Sequence, residues 1–278
     1  MFRLFKHDDS CRLTMISILT PTYNRAHTLM RLYESLVTQG DQNFEWVVVD
    51  DGSNDDSGLL LTLLSDRAAI NMTVITQPNS GKHLAVNAGV LAAKGEWIFI
   101  VDSDDLLTAD AVSKVKAGIQ VVFSKSPLGV CFRRASFNGE LWGGEICTSL
   151  GAYSYMHPTA AAHQYRGDLA YVFKKHALLA NPFPSFNGEN FVPELLVWNK
   201  IGDQGLIAYF HRQVVYLADY LPDGYTANFR ANIRRNPRGF KAFYTQQYFR
   251  EHALRPKLKC AIRVVQCLCF SVLRGIRK

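Results

Sequence analysis

The chain has 278 residues, of which 48% are hydrophobic and 20% are charged, and this composition is typical of a globular protein. No run of about 18 or more uncharged apolar residues is present, so the sequence offers no clear transmembrane helix. The formal net charge is +7, but it is unevenly spread.

The positive charge is concentrated near the C-terminus. Residues 230–278 contain thirteen Lys and Arg residues and a single acid, Glu251, so the remainder of the chain is net negative. Such a basic segment suits either nucleic acid or an anionic membrane surface. The six cysteines include no CxxC pair, and no secretory signal is visible at the start, so we expect reduced thiols in the cytoplasm.

Short apolar runs alternate with segments of helical spacing after a loose extension over residues 1–14. The apolar runs predict strands at Met15–Thr20, Trp46–Val49, Met72–Thr76 and Trp97–Val101. The segments between and after them predict helices at Ala26–Thr38, 55–65, Lys82–Lys94 (closed by Gly95) and Thr108–Ile119. This alternation implies right-handed crossovers and a mostly parallel sheet. It fades after about residue 121, where we expect a second region to begin.

Polar motifs follow the predicted strands. They are Thr22-Tyr23-Asn24, Asp50-Asp51, Ser80-Gly81-Lys82 and Asp102-Ser103-Asp104-Asp105. Open α/β sheets bind their ligands at the carboxyl ends of the strands, so these motifs should converge on one site. Carboxylates that lie so close together repel one another, and a hard cation such as Mg²⁺ or Mn²⁺ relieves the repulsion. The pattern favours an enzyme that handles a metal and a phosphate.

Taken together, these motifs resemble family 2 glycosyltransferases, which have the GT-A fold and are common in bacterial capsule, exopolysaccharide and O-antigen synthesis. The resemblance rests on Ile18–Arg25, Val47–Ser53, Asn79–Gly89 and Gly95–Asp105. It implies an α/β, Rossmann-like and mostly parallel sheet with an irregular acceptor-side region, to which the charge and spacing of the C-terminal residues add a basic helical tail. We assign residues 1–14 to an N-terminal extension, 15–120 to nucleotide-sugar binding, 121–235 to the acceptor and catalytic region, and 236–278 to the tail.

The resemblance also implies roles for individual residues at the nucleotide. Tyr23 matches a position beside the base, where its ring can stack, and Pro21 belongs to the same pocket. Asp51 matches the carboxylate that accepts from a base N–H, and Asp50 assists at the ribose. The Asp50–Ser53 segment is equally suited to a turn with a helix cap, because Asp, Gly and Ser all favour that structure.

A second group of residues matches the diphosphate end of the family's site. Lys82 offsets diphosphate charge, and Asn87 is a pocket candidate. Asp102 matches the first acid of the DxD motif, facing ribose or metal, with Ser103 between the two acids. Asp104 matches the second acid, the principal ligand of Mn²⁺ or Mg²⁺. The alternative is that these acids only cap the following helix. Capping does not need three carboxylates, so we favour a metal site.

The family's catalytic base is an acid that opens a helix in the second half of the chain. Glu194 falls on that position, although Pro193 replaces the acid that often precedes it, and Glu189 is the second candidate. The base would remove the proton of the acceptor hydroxyl as it attacks. The competing interpretation of Glu194 is an acid that stabilises a helix N-terminus.

The basic tail has helical spacing. Leu258, Ile262, Val265, Cys269 and Val272 form an apolar stripe, and basic residues lie on another, which predicts an amphipathic helix. Such a helix can lie in an anionic membrane interface, or it can pack on its own domain with a solvated basic face.

The sequence therefore predicts an inverting, metal-dependent glycosyltransferase that is cytoplasmic and peripheral at the inner face of the cell membrane. Its donor would be a nucleotide sugar, most simply a UDP-sugar, and its acceptor a hydroxyl of a saccharide or lipid-linked saccharide. The rivals are a sugar nucleotidyltransferase and an inactive sugar-nucleotide-binding scaffold at the membrane. No nucleic-acid partner is expected, because the predicted site is acidic and the basic tail is separate from it.

Overall fold

The computed structural model describes residues 15–143, 151–219 and 228–276, so the predicted extension at 1–14 lies outside the described residues. The strands within these ranges are β1 (Ile16–Thr22), β2 (Phe44–Asp50), β3 (Asn71–Thr76), β4 (Trp97–Ile100), β5 (Leu106–Leu107), β6 (Gly129–Ala135), β7 (Tyr153–Tyr155), β8 (Leu169–Lys174) and β9 (Ile207–Leu217). The predicted α/β class is confirmed.

Helices connect the strands and extend the chain beyond the sheet. They are α1 (Ala26–Val37), α2 (Ser57–Asp66), α3 (Lys82–Ala92), α4 (Ala111–Val122), α5 (Pro158–Tyr165), α6 (Lys175–Ala180), α7 (Leu195–Gln204), α8 (Phe229–Arg235), α9 (Pro237–Arg250) and α10 (Leu254–Ile276). Each strand and helix predicted between residues 15 and 120 is present, with ends shifted by no more than three residues.

One sheet runs through both predicted regions. Its strand order is β3-β2-β1-β4-β8-β6-β9-β5, and β7 also pairs with β9. The strands β3, β2, β1 and β4 are mutually parallel, as βαβ units require. Strand β8 runs antiparallel to both β4 and β6, so it joins the second region to the first. The carboxyl ends of the parallel strands consequently share an edge with residues of the second region.

Helices cover both faces of the sheet. Helices α1, α2 and α4 pack on one face, and α3, α5, α6 and α7 pack on the other. Strand β4 is buried along its whole length, which explains its uninterrupted apolar sequence. The two apolar layers fix the positions of the strand ends.

Gly95 does not close α3 as predicted, because α3 already ends at Ala92. A Cβ atom on Gly95 would lie 2.6 Å from the Ser17 Oγ atom. The Gly95 N–H also donates to that oxygen at 2.8 Å. Glycine is therefore required here by close packing against β1.

The C-terminal helices form a third apolar cluster beside the sheet. Helix α10 packs through Cys260, Cys267, Val264 and Phe270, which lie against side chains of α8 and α9. The predicted amphipathic helix is thus present, and it does pack on its own domain. The predicted apolar stripe, however, faces away from this contact and is exposed at Leu258, Ile262, Val265, Cys269 and Val272.

No helix in the described ranges has both the length and the apolar character needed to traverse a lipid bilayer.

Candidate functional site

The predicted motifs meet at one edge of the sheet. Residues Tyr23, Asp51 and Asp102 each follow the last residues of β1, β2 and β4, which are neighbours in the sheet. The Asp51 N–H donates to the carbonyl of Thr22 at 2.9 Å, which links the first two strand ends directly. These residues line a cavity of about 830 Å³, which we call the acidic cleft. This volume suits a ligand the size of a small cofactor or a nucleotide.

The entrance of the acidic cleft presents an aromatic ring beside a buried carboxylate. Tyr23 is 42% exposed, whereas Asp51 is buried. The Asp51 carboxylate accepts hydrogen bonds from Gln77 Nε2 at 2.7 Å and from the N–H groups of Ser80 and Gly81 at 2.9 and 2.7 Å. A carboxylate has about four acceptor sites, so three are engaged in holding the loop before α3 and one is left for a ligand.

Gly81 brings the two halves of the site together. Its φ angle is +94°, and a Cβ atom there would lie 2.1 Å from the carbonyl oxygen of Asn190. Only glycine tolerates this conformation and this contact. Lys82, the first residue of α3, is consequently placed against the second region of the chain.

Three carboxylates form the floor of the acidic cleft. One oxygen from each of Asp102, Asp104 and Asp105 lies within 4.8 Å of the others. Burial and the charge of Asp102 raise the pKa of Asp104. The same two effects raise the pKa of Asp105 to about 7. A bound divalent cation relieves mutual repulsion of this kind. The three carboxylates therefore fit Mg²⁺ or Mn²⁺, which prefer oxygen ligands.

Basic side chains offset part of this negative charge. The Nη2 atom of Arg25 lies 3.6 Å from Asp104 Oδ2. Burial raises the pKa of Asp102, but the charges of Lys82 and Arg134 outweigh burial and lower it overall. Asp102 is therefore the carboxylate of the cluster that stays ionised most readily.

Lys82 connects the acid cluster to the predicted base. Its Nζ atom lies 2.6 Å from Asp102 Oδ1 and 2.7 Å from Glu194 Oε1. Burial lowers the pKa of Lys82, but these two carboxylates raise it above its ordinary value overall. The charged lysine thus links Asp102, which follows β4, to Glu194, which precedes α7.

The two candidate bases have different surroundings. Glu194 immediately precedes α7 and lines the acidic cleft with its side chain 36% exposed. Glu189 is buried, and its carboxylate accepts from the N–H groups of Arg238 and Gly239 at 2.9 to 3.0 Å. Glu189 therefore caps the first turn of α9, and it does not line the acidic cleft.

Two other sequence candidates also lie outside the acidic cleft. Asp50 directs its carboxylate to the N–H and hydroxyl of Ser53, which is the turn-forming role considered from sequence. Asn87 exchanges two hydrogen bonds with the backbone of Phe183, at 2.9 and 3.0 Å. Pro21 and Ser103, by contrast, do line the acidic cleft.

Sequence reasoning missed a clamp behind the acid cluster. The Tyr216 hydroxyl, from β9, donates to Asp105 Oδ2 at 2.8 Å and accepts from the N–H of Asp102 at 2.8 Å. The guanidinium of Arg134, from β6, stacks 3.9 Å from the centre of the Tyr216 ring. The sequence signal that could have indicated this clamp is the pair Arg133-Arg134 in an otherwise apolar strand. Successive strand residues face opposite sides of the sheet, so at least one of these arginines must be buried and needs a partner there.

One protein-family model matches the part of the chain that contains the sequence motifs. Residues 17–145 match the family described as Glycosyl transferase family 2. This segment is slightly less than half of the chain, so the match shows that residues 17–145 are similar to glycosyl transferase family 2. The acidic cleft takes its acid cluster, its lysine and its exposed tyrosine from this matched segment, whereas Glu194 and Tyr216 lie beyond it.

Curated relatives match over the same part of the chain. The glycosyltransferase GlyG of Streptococcus pneumoniae is 36% identical over 109 residues, which are 38% of this chain and 35% of GlyG. The succinoglycan biosynthesis protein ExoO of Rhizobium meliloti is 34% identical over 100 residues, which are 36% of this chain and 28% of ExoO. The matched segment thus spans about a third of the length of these relatives.

Solved structures resemble most of the chain in fold. TarS of S. aureus, solved with UDP-GlcNAc, has a TM-score of 0.66 at 17% identity, and the match covers 91% of this chain and 71% of that one. A mannosyltransferase of Pyrobaculum calidifontis, solved with GDP-Man and Mn²⁺, has a TM-score of 0.59 at 17% identity and covers 95% and 75%. At these identities the likeness establishes a shared GT-A fold.

Proposed function

We propose that the protein transfers a sugar from a nucleotide-diphosphate sugar to a hydroxyl of a saccharide or lipid-linked saccharide, in the synthesis of a bacterial cell-surface polysaccharide. The observation that carries this proposal is the double ion pair of Lys82, which unites the acid cluster with Glu194 in one cleft. Donor chemistry and acceptor chemistry would then meet at the same carbon atom. The name of the relative ExoO supports the polysaccharide context.

The donor would enter with its base between Tyr23 and Asp51. The exposed ring offers a stacking face, and the remaining acceptor site of the carboxylate can receive a base N–H. Fold neighbours have been solved with UDP-GlcNAc and with GDP-Man. We favour a UDP-sugar, because uracil presents a single N–H and Asp51 has a single free acceptor site.

A divalent metal would be held by Asp104 and Asp102, with Asp105 behind them. When bound, Mn²⁺ or Mg²⁺ supplies Lewis-acid stabilisation of the departing diphosphate. Lys82 would add a positive charge on the same side, exchanging its contact with Glu194 for a diphosphate oxygen. The exchange would leave Glu194 free to accept a proton.

Glu194 would act as the base. Its carboxylate takes the proton of the acceptor hydroxyl while the hydroxyl oxygen forms a bond to the anomeric carbon. The bond from that carbon to the diphosphate breaks with its electron pair on the leaving oxygen. Attack opposite the leaving group inverts the configuration. Glu189 is unsuited to this role, because helix α9 already engages its carboxylate.

Helix α10 would attach the protein to the inner face of the cell membrane. Its exposed face carries Leu254, Leu258, Ile262, Val265 and Val272, each more than half exposed. Basic residues of the same helix, Arg255, Lys257 and Lys259, can meet anionic lipid headgroups. A protein held at this surface would share it with a lipid-linked acceptor.

Product analysis tests the proposed reaction. The protein is incubated with UDP-GlcNAc or GDP-Man and Mn²⁺, and the nucleotide released is identified. We expect release of the nucleoside diphosphate, with water as the slow acceptor if none is added. A nucleotidyltransferase would instead consume a nucleoside triphosphate and a sugar 1-phosphate and release pyrophosphate. An inactive scaffold would bind the nucleotide sugar and release nothing, which would contradict the proposal.

A further inference from the structure

A second cavity adjoins the acidic cleft, and we call it the basic cavity. It has a volume of about 1240 Å³ and shares Tyr23, Arg25, Asn190 and Phe191 with the acidic cleft. Its other walls come from α8 and the end of α10. A ligand seated there would lie directly beside the site of transfer.

The charge of the basic cavity is of one sign. Its lining includes the five arginines Arg25, Arg230, Arg234, Arg235 and Arg274. No Asp or Glu is among the described residues that line it. Three of these arginines, Arg230, Arg234 and Arg235, are exposed, and they form no ion pair within residues 15–143, 151–219 and 228–276. Guanidinium groups clustered in a concave wall are the arrangement that binds phosphate oxygens, often in bidentate pairs.

One arginine fixes the wall in place. Arg274, near the end of α10, donates to the carbonyls of Arg235 and Gly188. It also lies 3.9 Å from the buried carboxylate of Glu189. These contacts connect α8, α10 and the segment before α7. The arginines of α8 are therefore held in position on the wall of the basic cavity.

The edge of the basic cavity is apolar. Phe270 and Leu273 of α10 contribute to its lining. Leu273 is 53% exposed and adjoins the exposed face of α10 formed by Leu258, Ile262 and Val265. A charged pocket with an apolar margin matches a molecule that carries a phosphate next to a hydrocarbon chain.

We propose that the basic cavity binds the phosphate or diphosphate group of the acceptor. This inference rests on the proposed function, since it assigns the charged part of the acceptor for the same transfer. The acidic cleft would hold the donor, and the adjoining arginines would hold the acceptor by its anionic group. The hydroxyl to be glycosylated would extend from the basic cavity toward Glu194.

Binding of two diphosphates tests the proposal. Inorganic pyrophosphate and geranyl diphosphate are titrated calorimetrically in the presence of EDTA, so that no metal recruits them to the acid cluster. Both should bind the wild-type protein. R230Q/R234Q should weaken binding at least about tenfold, because each charge-assisted bond to phosphate is worth roughly a factor of ten. The matched control R67Q/K125Q removes two exposed charges that line neither cavity and should bind as the wild type does.

Two further comparisons show which cavity binds the diphosphate and whether the acceptor is lipid-linked. K82M removes the lysine that would contact a diphosphate in the acidic cleft, so the part of the binding that R230Q/R234Q removes should be retained in K82M. Tighter binding of geranyl diphosphate than of pyrophosphate indicates a lipid-linked acceptor, whereas equal binding indicates a water-soluble phosphate; both support the site. The proposal is overturned if R230Q/R234Q behaves like R67Q/K125Q, if K82M abolishes binding, or if neither diphosphate binds a protein that does bind UDP with Mn²⁺. Failure to bind both UDP and GDP in the presence of Mn²⁺ would refute the proposed function instead.

Discussion

The two sides of the acidic cleft are built in different ways. On the side where we propose that the donor binds (the donor side), Tyr23, Asp51 and Asp102 follow three neighbouring parallel strands, so each side chain lies within two residues of a strand end. On the opposite side, where we propose that the acceptor binds (the acceptor side), Glu194 precedes helix α7 and Tyr216 lies in strand β9, so both stand outside the parallel strands β1 to β4. The first side is specified by local motifs and the second by tertiary packing.

This difference explains where the chain matches other proteins. The family match covers residues 17–145, which include the whole donor side but not Glu194 or Tyr216. Loops and helices outside the parallel strands can vary without disturbing the nucleotide site. We therefore expect substitutions on the donor side to impair nucleotide or metal binding as well as transfer, and those on the acceptor side to impair turnover alone.

The largest expected effect separates the two sides most sharply. Glu194→Gln should lower turnover by about 10²–10⁴-fold, because the amide cannot take the acceptor proton. Affinity for UDP with Mn²⁺ should change little, which calorimetry can measure alongside a transfer assay.

Glu189→Gln is the matched control for the base. Its carboxylate caps α9, so this variant should lower the melting temperature and retain turnover at a temperature where it remains folded. Loss of turnover in folded Glu189→Gln, with normal turnover in Glu194→Gln, would mean that the base is wrongly assigned.

Removal of a donor-side carboxylate should have the next largest effect. Asp104→Asn should reduce Mn²⁺-dependent transfer by about 10²–10³-fold, since charge stabilisation at the diphosphate is lost. Circular dichroism should be unchanged, because Asp104 is only partly buried. Full activity of the folded variant would contradict the metal assignment.

A smaller effect is expected where the two sides touch. Tyr216→Phe removes the hydroxyl that bonds both the Asp102 N–H and Asp105, and it keeps the aromatic ring beside Arg134. Groups that orient metal ligands typically contribute about 10–100-fold to metal affinity. The Mn²⁺ concentration for half-maximal activity should rise accordingly.

Tyr171→Phe serves as a control for that substitution, since Tyr171 lines the acidic cleft but, within the described residues, forms no hydrogen bond with Asp102, Asp104 or Asp105. Equal Mn²⁺ requirements in Tyr216→Phe and the wild type would show that the clamp does not position the metal site.

The smallest expected effect concerns the outer face of α10. I262S/V265S should lower binding to vesicles of phosphatidylglycerol and phosphatidylcholine by about tenfold, because two exposed apolar side chains no longer enter the interface. The control L91S/V121S changes two exposed apolar residues elsewhere and should bind normally. Equal binding of both variants in a flotation assay would contradict the membrane role of α10.

The parallel strands and the donor motifs could be predicted from sequence because their signals are local. An apolar run followed by acids, as at Trp97–Asp105, indicates both a buried strand and the site at its end. The exposed position of the stripe on α10 could not be predicted, because spacing reveals an apolar face but not which face meets the protein. The cap formed by Glu189 and the clamp formed by Tyr216 depend on partners 49 and 111 residues away.

Anomalous X-ray scattering from crystals grown with UDP and Mn²⁺ tests the central claim most directly. The account predicts an Mn²⁺ peak bounded by Asp102 and Asp104, with the diphosphate on it and the base beside Tyr23 and Asp51. A nucleotide bound outside the acidic cleft, or an Mn²⁺ peak away from these carboxylates, would contradict it.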